Sequence, residues 1–95
     1  MKGNTLAEFM DDLFACGGPE KEFTFCQKRY FLETALHEDT NLIELHVFEI
    51  GDLNDIVFSC ACKTLRECVE QFESAKIFDG KTIYEAEGEI EVLYG

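Results

Sequence analysis

Apolar residues near the N-terminus recur three and four positions apart, which is the spacing of one side of a helix. These residues are Leu6, Phe9, Met10, Leu13 and Phe14. Thr5-Leu-Ala-Glu8 fits a capping box, in which the hydroxyl and the carboxylate satisfy backbone amides of the first turn. Gly17-Gly18-Pro19 favours a helix end. We therefore predict a helix near 5–16.

A second helical period lies in the C-terminal third of the chain. Thr64-Leu-Arg-Glu67 is another capping box, and the apolar residues after it predict a helix near 64–75. Those residues are Leu65, Cys68, Val69 and Phe72. The last segment carries two patterns, because Thr82-Ile-Tyr-Glu85 fits a third capping box whereas acidic and apolar residues alternate after it as in a strand. We predict a short helix near 82–87, then an edge strand near 89–94.

Between the two longer helices the hydrophobic period changes to two, which is typical of strands with one buried face. Four strands are predicted, near 22–26, 29–36, 42–50 and 56–62. Their connections are short, so the strands should form an antiparallel meander with a first turn at Gln27-Lys28. The fold class is α+β: an N-terminal helix, a four-stranded antiparallel meander, a C-terminal helix, then a short helix or edge strand. We expect one domain over 1–95.

The alternation assigns every strand residue to one of two sheet faces. In the predicted register, apolar residues lie opposite one another in all three hairpins. The predicted pairs are Phe25 with Tyr30, Leu32 with Leu45, and Val47 with Phe58. The face expected to lie beneath the helices holds Phe23, Phe25, Tyr30, Leu32, Leu36, Ile43, Leu45, Val47, Ile56, Phe58, Cys60 and Cys62.

The opposite face of the sheet, called the outer face below, is too apolar for a surface that only contacts water. It is predicted to hold Thr24, Arg29, Phe31, Glu33, Ala35, Leu42, Glu44, His46, Phe48, Val57, Ser59 and Ala61. Contiguous apolar patches are typical of interfaces, so we expect a partner-binding surface here. Its predicted residues are Phe31, Glu33, Leu42, Glu44, His46, Phe48 and Val57. The alternative is that the C-terminal segment covers this face through Ile90, Val92 and Tyr94.

Charge narrows the choice of partner. Twenty Asp and Glu against eight Lys and Arg give a net charge of −12 over 95 residues, and no Lys or Arg occurs from Tyr30 to Cys62. A field of one sign repels nucleic acid and anionic membranes and attracts basic surfaces. We expect a basic protein partner or a second copy of the chain, with no direct nucleic-acid or membrane binding. Hydrophobic residues make up 46% of the chain, which argues against disorder.

Catalytic motifs do not occur in the sequence, which lacks glycine-rich phosphate loops, H-E-x-x-H and EF-hand patterns. In the predicted register Glu33 lies nearly opposite Glu44, and two close carboxylates can share a proton. His46 would neighbour Ser59, without a third group to orient the pair. We expect no catalytic residue and no cofactor, and we keep an enzyme that uses Glu33, Glu44 and His46 as an alternative.

Five cysteines, at positions 16, 26, 60, 62 and 68, are an odd number, and the chain has no signal-peptide pattern. A disulfide framework is therefore not expected. Cys60-Ala-Cys62 on a strand places both thiols on one face, but only Cys68 lies close enough in sequence to add a ligand. We expect buried, reduced thiols and no metal, and we keep a metal or redox role as the alternative. Since no apolar run approaches the roughly 18 residues of a membrane span, the expected location is the cytoplasm.

Several stretches carry a resemblance to a known group. They are Glu67-Cys-Val-Glu70-Gln-Phe72, Ala75-Lys-Ile-Phe-Asp-Gly-Lys-Thr82, Glu89-Ile-Glu91 and Lys28-Arg-Tyr-Phe-Leu32. There the chain resembles small uncharacterised acidic α+β proteins of Firmicutes genomes and their mobile elements. The resemblance implies a bacterial, cytoplasmic, phage-linked protein and supplies no catalytic residue.

Together these observations favour a non-enzymatic, acidic protein-interaction domain. A mobile-element protein of this charge could inhibit a nuclease by mimicking nucleic acid toward its basic channel. Carboxylates on alternate strand residues lie roughly 6.7 Å apart, and adjacent strands add rows roughly 4.8 Å away. Duplex DNA carries one charge per about 1.7 Å of axis, so mimicry requires several acidic rows to converge. The alternative function is a small structural or regulatory homodimer that associates through the outer face.

Overall fold

A computed structural model describes residues 1–3, 5–14, 20–51 and 55–94, with only the backbone described at residue 94. Its helices are α1 (Leu6–Asp12), α2 (Leu65–Ser74) and α3 (Ile83–Ala86), and a 3₁₀ turn follows at Glu87–Glu89. Its strands are β1 (Glu20–Phe25), β2 (Lys28–His37), β3 (Leu42–Ile50), β4 (Asp55–Cys62) and β5 (Ile90–Tyr94). The strands form one antiparallel sheet in the order β4-β3-β2-β1-β5. The chain is therefore α+β, with the predicted meander extended by a fifth strand.

All three predicted capping threonines begin helices. Each threonine hydroxyl accepts a hydrogen bond from the backbone N–H three residues later, which satisfies an amide that has no partner within the helix. The pairs are Thr5 with Glu8, Thr64 with Glu67, and Thr82 with Glu85. Only Thr82 forms the full reciprocal box. α1 ends at Asp12, earlier than predicted, and the predicted stop at 17–19 lies outside the described residues.

The three helices cover one side of the sheet, called the inner face below, and enclose the hydrophobic core. Phe78, between α2 and α3, lies near the centre of this core. Its ring centroid is 5.4 Å from Phe25, 5.6 Å from Tyr30 and 6.0 Å from Phe23. On the other side of the core, the ring of Phe72 lies 6.2 Å from that of Phe58. Aromatic rings at these separations stabilise a core beyond the area that they bury.

The strand phase is as predicted, but the register of the first two hairpins differs by two residues. Phe23 pairs with Tyr30 and Leu32 with Val47. The first turn is formed by Cys26 and Gln27, whose φ angles of 48° and 67° are those of a tight hairpin turn. A slip of two residues leaves each side chain on its own face, because the side-chain period is two. The third hairpin pairs Val47 with Phe58 as predicted.

Two residues predicted for the inner face are exposed. A β-bulge follows Val47, where Val47 pairs with Phe58 but the next residue, Phe48, pairs with Ile56. Val57 is left between these pairs and packs against the core, whereas Ile56 turns to the outer face and is 58% exposed. The predicted positions of Ile56 and Val57 are therefore both wrong. Leu36 is 61% exposed near the end of β2, so it is also not a core residue.

A charged side chain lies within the inner face, which the hydrophobic alternation did not indicate. Lys21 is 1% exposed, and its Nζ lies 2.7 Å from Oδ2 of Asp12 at the end of α1. The same ammonium lies 5.3 Å from the centroid of the Phe9 ring, within the range of a cation–π contact. Lys21 therefore joins the first strand to the first helix through charge as well as packing.

As far as it is described, the C-terminal segment forms β5 at the sheet edge beside β1 and does not lie across the outer face, so that alternative is wrong. Ile90 pairs with Phe25 and is buried on the inner face. On the other side of β5, the backbone of Lys2 donates to Ile90 and accepts from Val92, with both N–O distances 2.8 Å. Gly3 follows with φ +83°, and a Cβ there would lie 2.6 Å from the carbonyl oxygen of Val92.

Candidate partner-binding face and histidine cluster

The outer face of β1 to β4 is open to solvent, since none of its described side chains is fully buried. Three apolar residues form a row across adjacent strands, with Phe31 opposite Phe48 and Phe48 opposite Ile56. Neighbouring strands lie about 4.8 Å apart, so the three side chains form one continuous patch. This patch is called the apolar row below.

An acidic row runs beside the apolar row. Glu20 lies opposite Glu33 across β1 and β2, and Glu33 lies opposite His46 across β2 and β3. Like charges directly opposite each other across strands are unfavourable. The predicted pairing of Glu33 with Glu44 is wrong, because the two-residue difference in register places Ala35 opposite Glu44. The close carboxylates on this face are therefore Glu20 and Glu33.

Two histidines share the carboxylate of Glu44. Oε2 of Glu44 lies 2.9 Å from Nε2 of His46 and 3.0 Å from Nε2 of His37. The hydrogen bond to His46 and the nearby charge of His37 lower the pKa of Glu44. Together they outweigh its partial burial, which would raise that pKa. His37 was not among the predicted site residues. Because β2 extends to His37, residue parity puts this side chain on the outer face, and the register that pairs His37 with Leu42 brings it beside Glu44.

His46 also contacts Ser59 and Phe48. Its Nδ1 lies 3.2 Å from Oγ of Ser59, and its ring stacks on Phe48 with 6.0 Å between centroids and 27° between planes. Glu44, His46 and Ser59 thus have the connectivity of a nucleophile–base–acid triad, with one ring nitrogen at the hydroxyl and the other at the carboxylate. Ser59 lies on a strand, however, whereas such nucleophiles usually lie on strained turns beside oxyanion donors.

The cations at this face are already paired. Among the described residues of β1 to β4, the outer face carries one arginine and no lysine. That arginine, Arg29, lies 2.7 Å from Oε2 of Glu22, and Lys28 at the adjacent turn lies 3.1 Å from Oδ1 of Asp79. The carboxylates of Glu20 and Glu33 therefore dominate the charge next to the apolar row.

Six of the seven predicted partner-binding residues lie on the outer face, and the exception is Val57. The six are Phe31, Glu33, Leu42, Glu44, His46 and Phe48. Sequence reasoning missed Ile50 and Ile56 on the same face. Residue parity along β3 could have identified Ile50, because it follows Phe48 by two. The outer-face position of Ile56 depends on the bulge after Val47, and nothing in the sequence indicates that bulge.

A different cluster lies beside the core, where β4 meets α2. The sulfur atoms of Cys60, Cys62 and Cys68 all lie within 4.8 Å of one another. Burial, together with the neighbouring thiols, raises the pKa of Cys68 to about 12, and burial raises that of Cys60 as well. The thiols of Cys60 and Cys68 are therefore protonated at neutral pH. In sequence these residues indicated only one close pair and a third cysteine six residues later.

No helix in the described ranges is both long and apolar enough to cross a bilayer. Comparisons of the chain with protein-family models, curated proteins and solved structures found no match. The resemblance to acidic Firmicutes proteins therefore stays a prediction.

Proposed function

We propose that this domain is a non-enzymatic protein-binding module that uses its outer face to hold a partner with a basic surface. The observation that carries the proposal is the apolar row of Phe31, Phe48 and Ile56, which lies open beside the opposed carboxylates of Glu20 and Glu33.

The two rows would act differently in binding. Burying apolar surface favours association, and aromatic side chains are frequent hot spots of interfaces. Opposed carboxylates, in contrast, mainly speed association with a basic surface and disfavour acidic partners. A lysine or arginine placed between Glu20 and Glu33 would also relieve their repulsion. The apolar row would thus supply affinity, and the acidic row would select the partner.

A narrower form of the proposal is that the partner is a basic nucleic-acid-binding protein, and that the domain is a mobile-element inhibitor that mimics nucleic acid. The stretch without Lys or Arg from Tyr30 to Cys62 supports it. Mimicry by charge and binding through the apolar row differ in two measurable respects. A pure mimic would lose its affinity steeply with salt and would tolerate changes at Phe48, because screening acts on charges and not on apolar contacts.

Affinity capture with quantitative mass spectrometry tests the proposal. The bait proteins are the wild type, Phe48→Glu, and the control Tyr84→Glu, which also replaces an exposed aromatic residue by an acid but lies on α3 among the helices. A partner that uses the outer face is lost with Phe48→Glu and retained with Tyr84→Glu. Direct titration of the purified partner then compares Glu33→Gln with Glu70→Gln on α2. Equal binding by all these variants would contradict the proposal.

A homodimer is the second candidate, since the same open apolar row could pack against a second copy. The acidic row argues against it, because a symmetric dimer brings like charges together at its rim. Sedimentation analysis over a concentration series decides between the two. A dimer that dissociates on Phe48→Glu and persists in Tyr84→Glu would favour self-association, whereas a monomer at all concentrations would favour a basic partner.

The enzyme alternative was predicted from Glu33, Glu44 and His46, but Glu33 lies opposite His46 and Glu44 opposite Ala35, so the two carboxylates do not form a pair. What remains to be tested is the connection of Ser59, His46 and Glu44. Hydrolysis of an activated ester such as p-nitrophenyl acetate, measured for the wild type, Ser59→Ala and His46→Gln, tests it directly. We expect equal rates for the three proteins. A rate that disappears with Ser59→Ala would instead make this cluster an active site.

A further inference from the structure

The strongest unexplained feature outside the outer face is the group of Cys60, Cys62 and Cys68. Each of these cysteines is free, and the local fold brings them together. Cys60 and Cys62 are two residues apart on β4, so both side chains point toward the helices. Thr64 then caps α2 directly after the strand, and Cys68 follows one turn later, next to the two strand thiols.

The separation of the three sulfurs suits a bound metal ion. Metal–thiolate bonds are about 2.3 Å long, which places the three sulfurs of a trigonal site about 4.0 Å apart. The observed sulfurs all lie within 4.8 Å of one another, so only small side-chain shifts would be required. Among the described residues, no other His, Cys, Asp or Glu joins these three within that distance.

The present contacts of the thiols are compatible with exchange for a metal. The thiols of Cys60 and Cys68 donate to the backbone carbonyls of Cys68 and Ile43, at 3.8 and 3.2 Å. The Cys62 sulfur accepts a hydrogen bond from Nε2 of Gln71 at 3.0 Å, a contact that would also support a thiolate. The backbone carbonyls would lose one weak thiol donor each, and Gln71 would remain in place as a supporting residue.

We propose that Cys60, Cys62 and Cys68 bind one soft metal ion as three thiolates, with Cu(I) as the fitting ion. Soft thiolate ligands select Cu(I), and a set of three matches its trigonal coordination. The step is Cu⁺ + 3 R–SH → [Cu(SR)₃]²⁻ + 3 H⁺, in which three S–H bonds are replaced by three Cu–S bonds without a change of oxidation state. Zinc, which almost always takes four ligands in structural sites, should bind less tightly. The site is separate from the outer face and does not depend on the proposed function.

Titration of the fully reduced protein with Cu(I) under argon, against a competing copper chelator, tests this site. The background carries Cys16→Ser and Cys26→Ser, so that the three cluster residues are the remaining cysteines. We expect one Cu(I) per chain and X-ray absorption with three sulfur neighbours. Cys62→Ser should weaken binding by more than about tenfold, since changes in outer-shell partners alone already cost that much. The single variant Cys26→Ser, compared with the wild type, should have no effect.

Loss of binding through unfolding must be separated from loss of a ligand. Cys60 is only partly buried, so Cys60→Ser is expected to keep the circular dichroism spectrum of the parent while its Cu(I) affinity falls. Binding to the folded state should also raise the thermal midpoint of the parent protein, and not that of Cys60→Ser. Three results would overturn the proposal: equal affinity in Cys60→Ser, fewer than three sulfur neighbours, or tighter binding of Zn(II) than of Cu(I).

Discussion

The two faces of the sheet carry similar apolar residues in different surroundings. On the inner face, Phe23 and Phe25 are buried against Phe78 and the helices. On the outer face, Phe31 and Phe48 remain partly exposed beside an acidic row. An aromatic residue on a strand is thus part of the core only where another layer covers it, and the uncovered face is the one available to a partner.

Truncation of an aromatic side chain should separate the two faces most strongly. Phe78→Ala leaves a cavity among three rings, and we expect the free energy of unfolding to fall by about 3–5 kcal/mol. Phe31→Ala removes a partly exposed ring from the outer face and should cost less than about 1.5 kcal/mol. Urea denaturation of both variants measures the difference. Similar losses would show that the outer face is covered in solution.

The buried ammonium of Lys21 allows a second comparison, between an enclosed and an exposed ion pair. Asp12→Asn removes the charge that faces this buried lysine, and we expect a loss of about 1–2 kcal/mol because Asp12 itself is half exposed. Asp79→Asn removes the partner of the exposed Lys28 and should cost less than about 1 kcal/mol. The contrast is contradicted if the two variants unfold at the same urea concentration.

Removing a polar contact in the helical layer should also cost more stability than removing one on the outer face. Thr82→Ala removes the hydroxyl that caps α3, and the helix cap accounts for about 1 kcal/mol. Ser59→Ala removes an exposed hydroxyl at His46 and should change stability by no more than about 0.5 kcal/mol. Thermal unfolding followed by circular dichroism measures both, and a larger loss for Ser59→Ala would assign a structural role to the outer cluster.

The smallest expected effect is the pH dependence caused by Glu44. Its pKa in the folded protein is lowered from 4.5, chiefly by the hydrogen bond with His46. Its stabilising contribution is therefore complete above about pH 4.5 and is lost as the pH falls through the lower folded value. Glu44→Gln should lose less stability than the wild type over this acidic range.

A second carboxylate must be controlled for, because the pKa of Glu85 is also lowered in the folded protein. A backbone hydrogen bond from Thr82 lowers the pKa of Glu85, so some acid sensitivity will persist in Glu44→Gln. Below pH 4.5, the free energy of unfolding of the double variant Glu44→Gln/Glu85→Gln should change even less with pH. If the stability of the single Glu44→Gln variant depends on pH as that of the wild type does, His37 and His46 do not bind the Glu44 carboxylate in solution.

Periodicity and capping residues were sufficient to predict the α+β class, the two longer helices, the antiparallel meander of β1 to β4 and the face of most of its residues. They could not fix the register of the first two hairpins, since a slip of two residues keeps Phe23 and Leu32 on the inner face. The candidate site divides in the same way, into residues that the alternation predicts and contacts that depend on the strand register. Phe31 and Phe48 came from parity, whereas the pairing of Glu44 with His37 required the true register.

Features produced by contacts between distant elements had no local pattern. The bulge that exchanges Ile56 and Val57 depends on how β3 and β4 pair, and the burial of Lys21 depends on where α1 ends. The meeting of Cys68 with the two strand cysteines likewise follows from the packing of α2 on β4. These are tertiary effects, and a single sequence indicates them only weakly.

In the free protein the outer face of the sheet is open to solvent, whereas the helices cover the inner face. NMR line broadening by a soluble gadolinium probe measures this for each aromatic ring at low protein concentration. We expect strong broadening of the Phe31 and Phe48 ring signals and little or none for Phe23, Phe25 and Phe78. Equal protection of Phe31, Phe48 and Phe78 would contradict it, because the proposed binding surface would then be part of the interior.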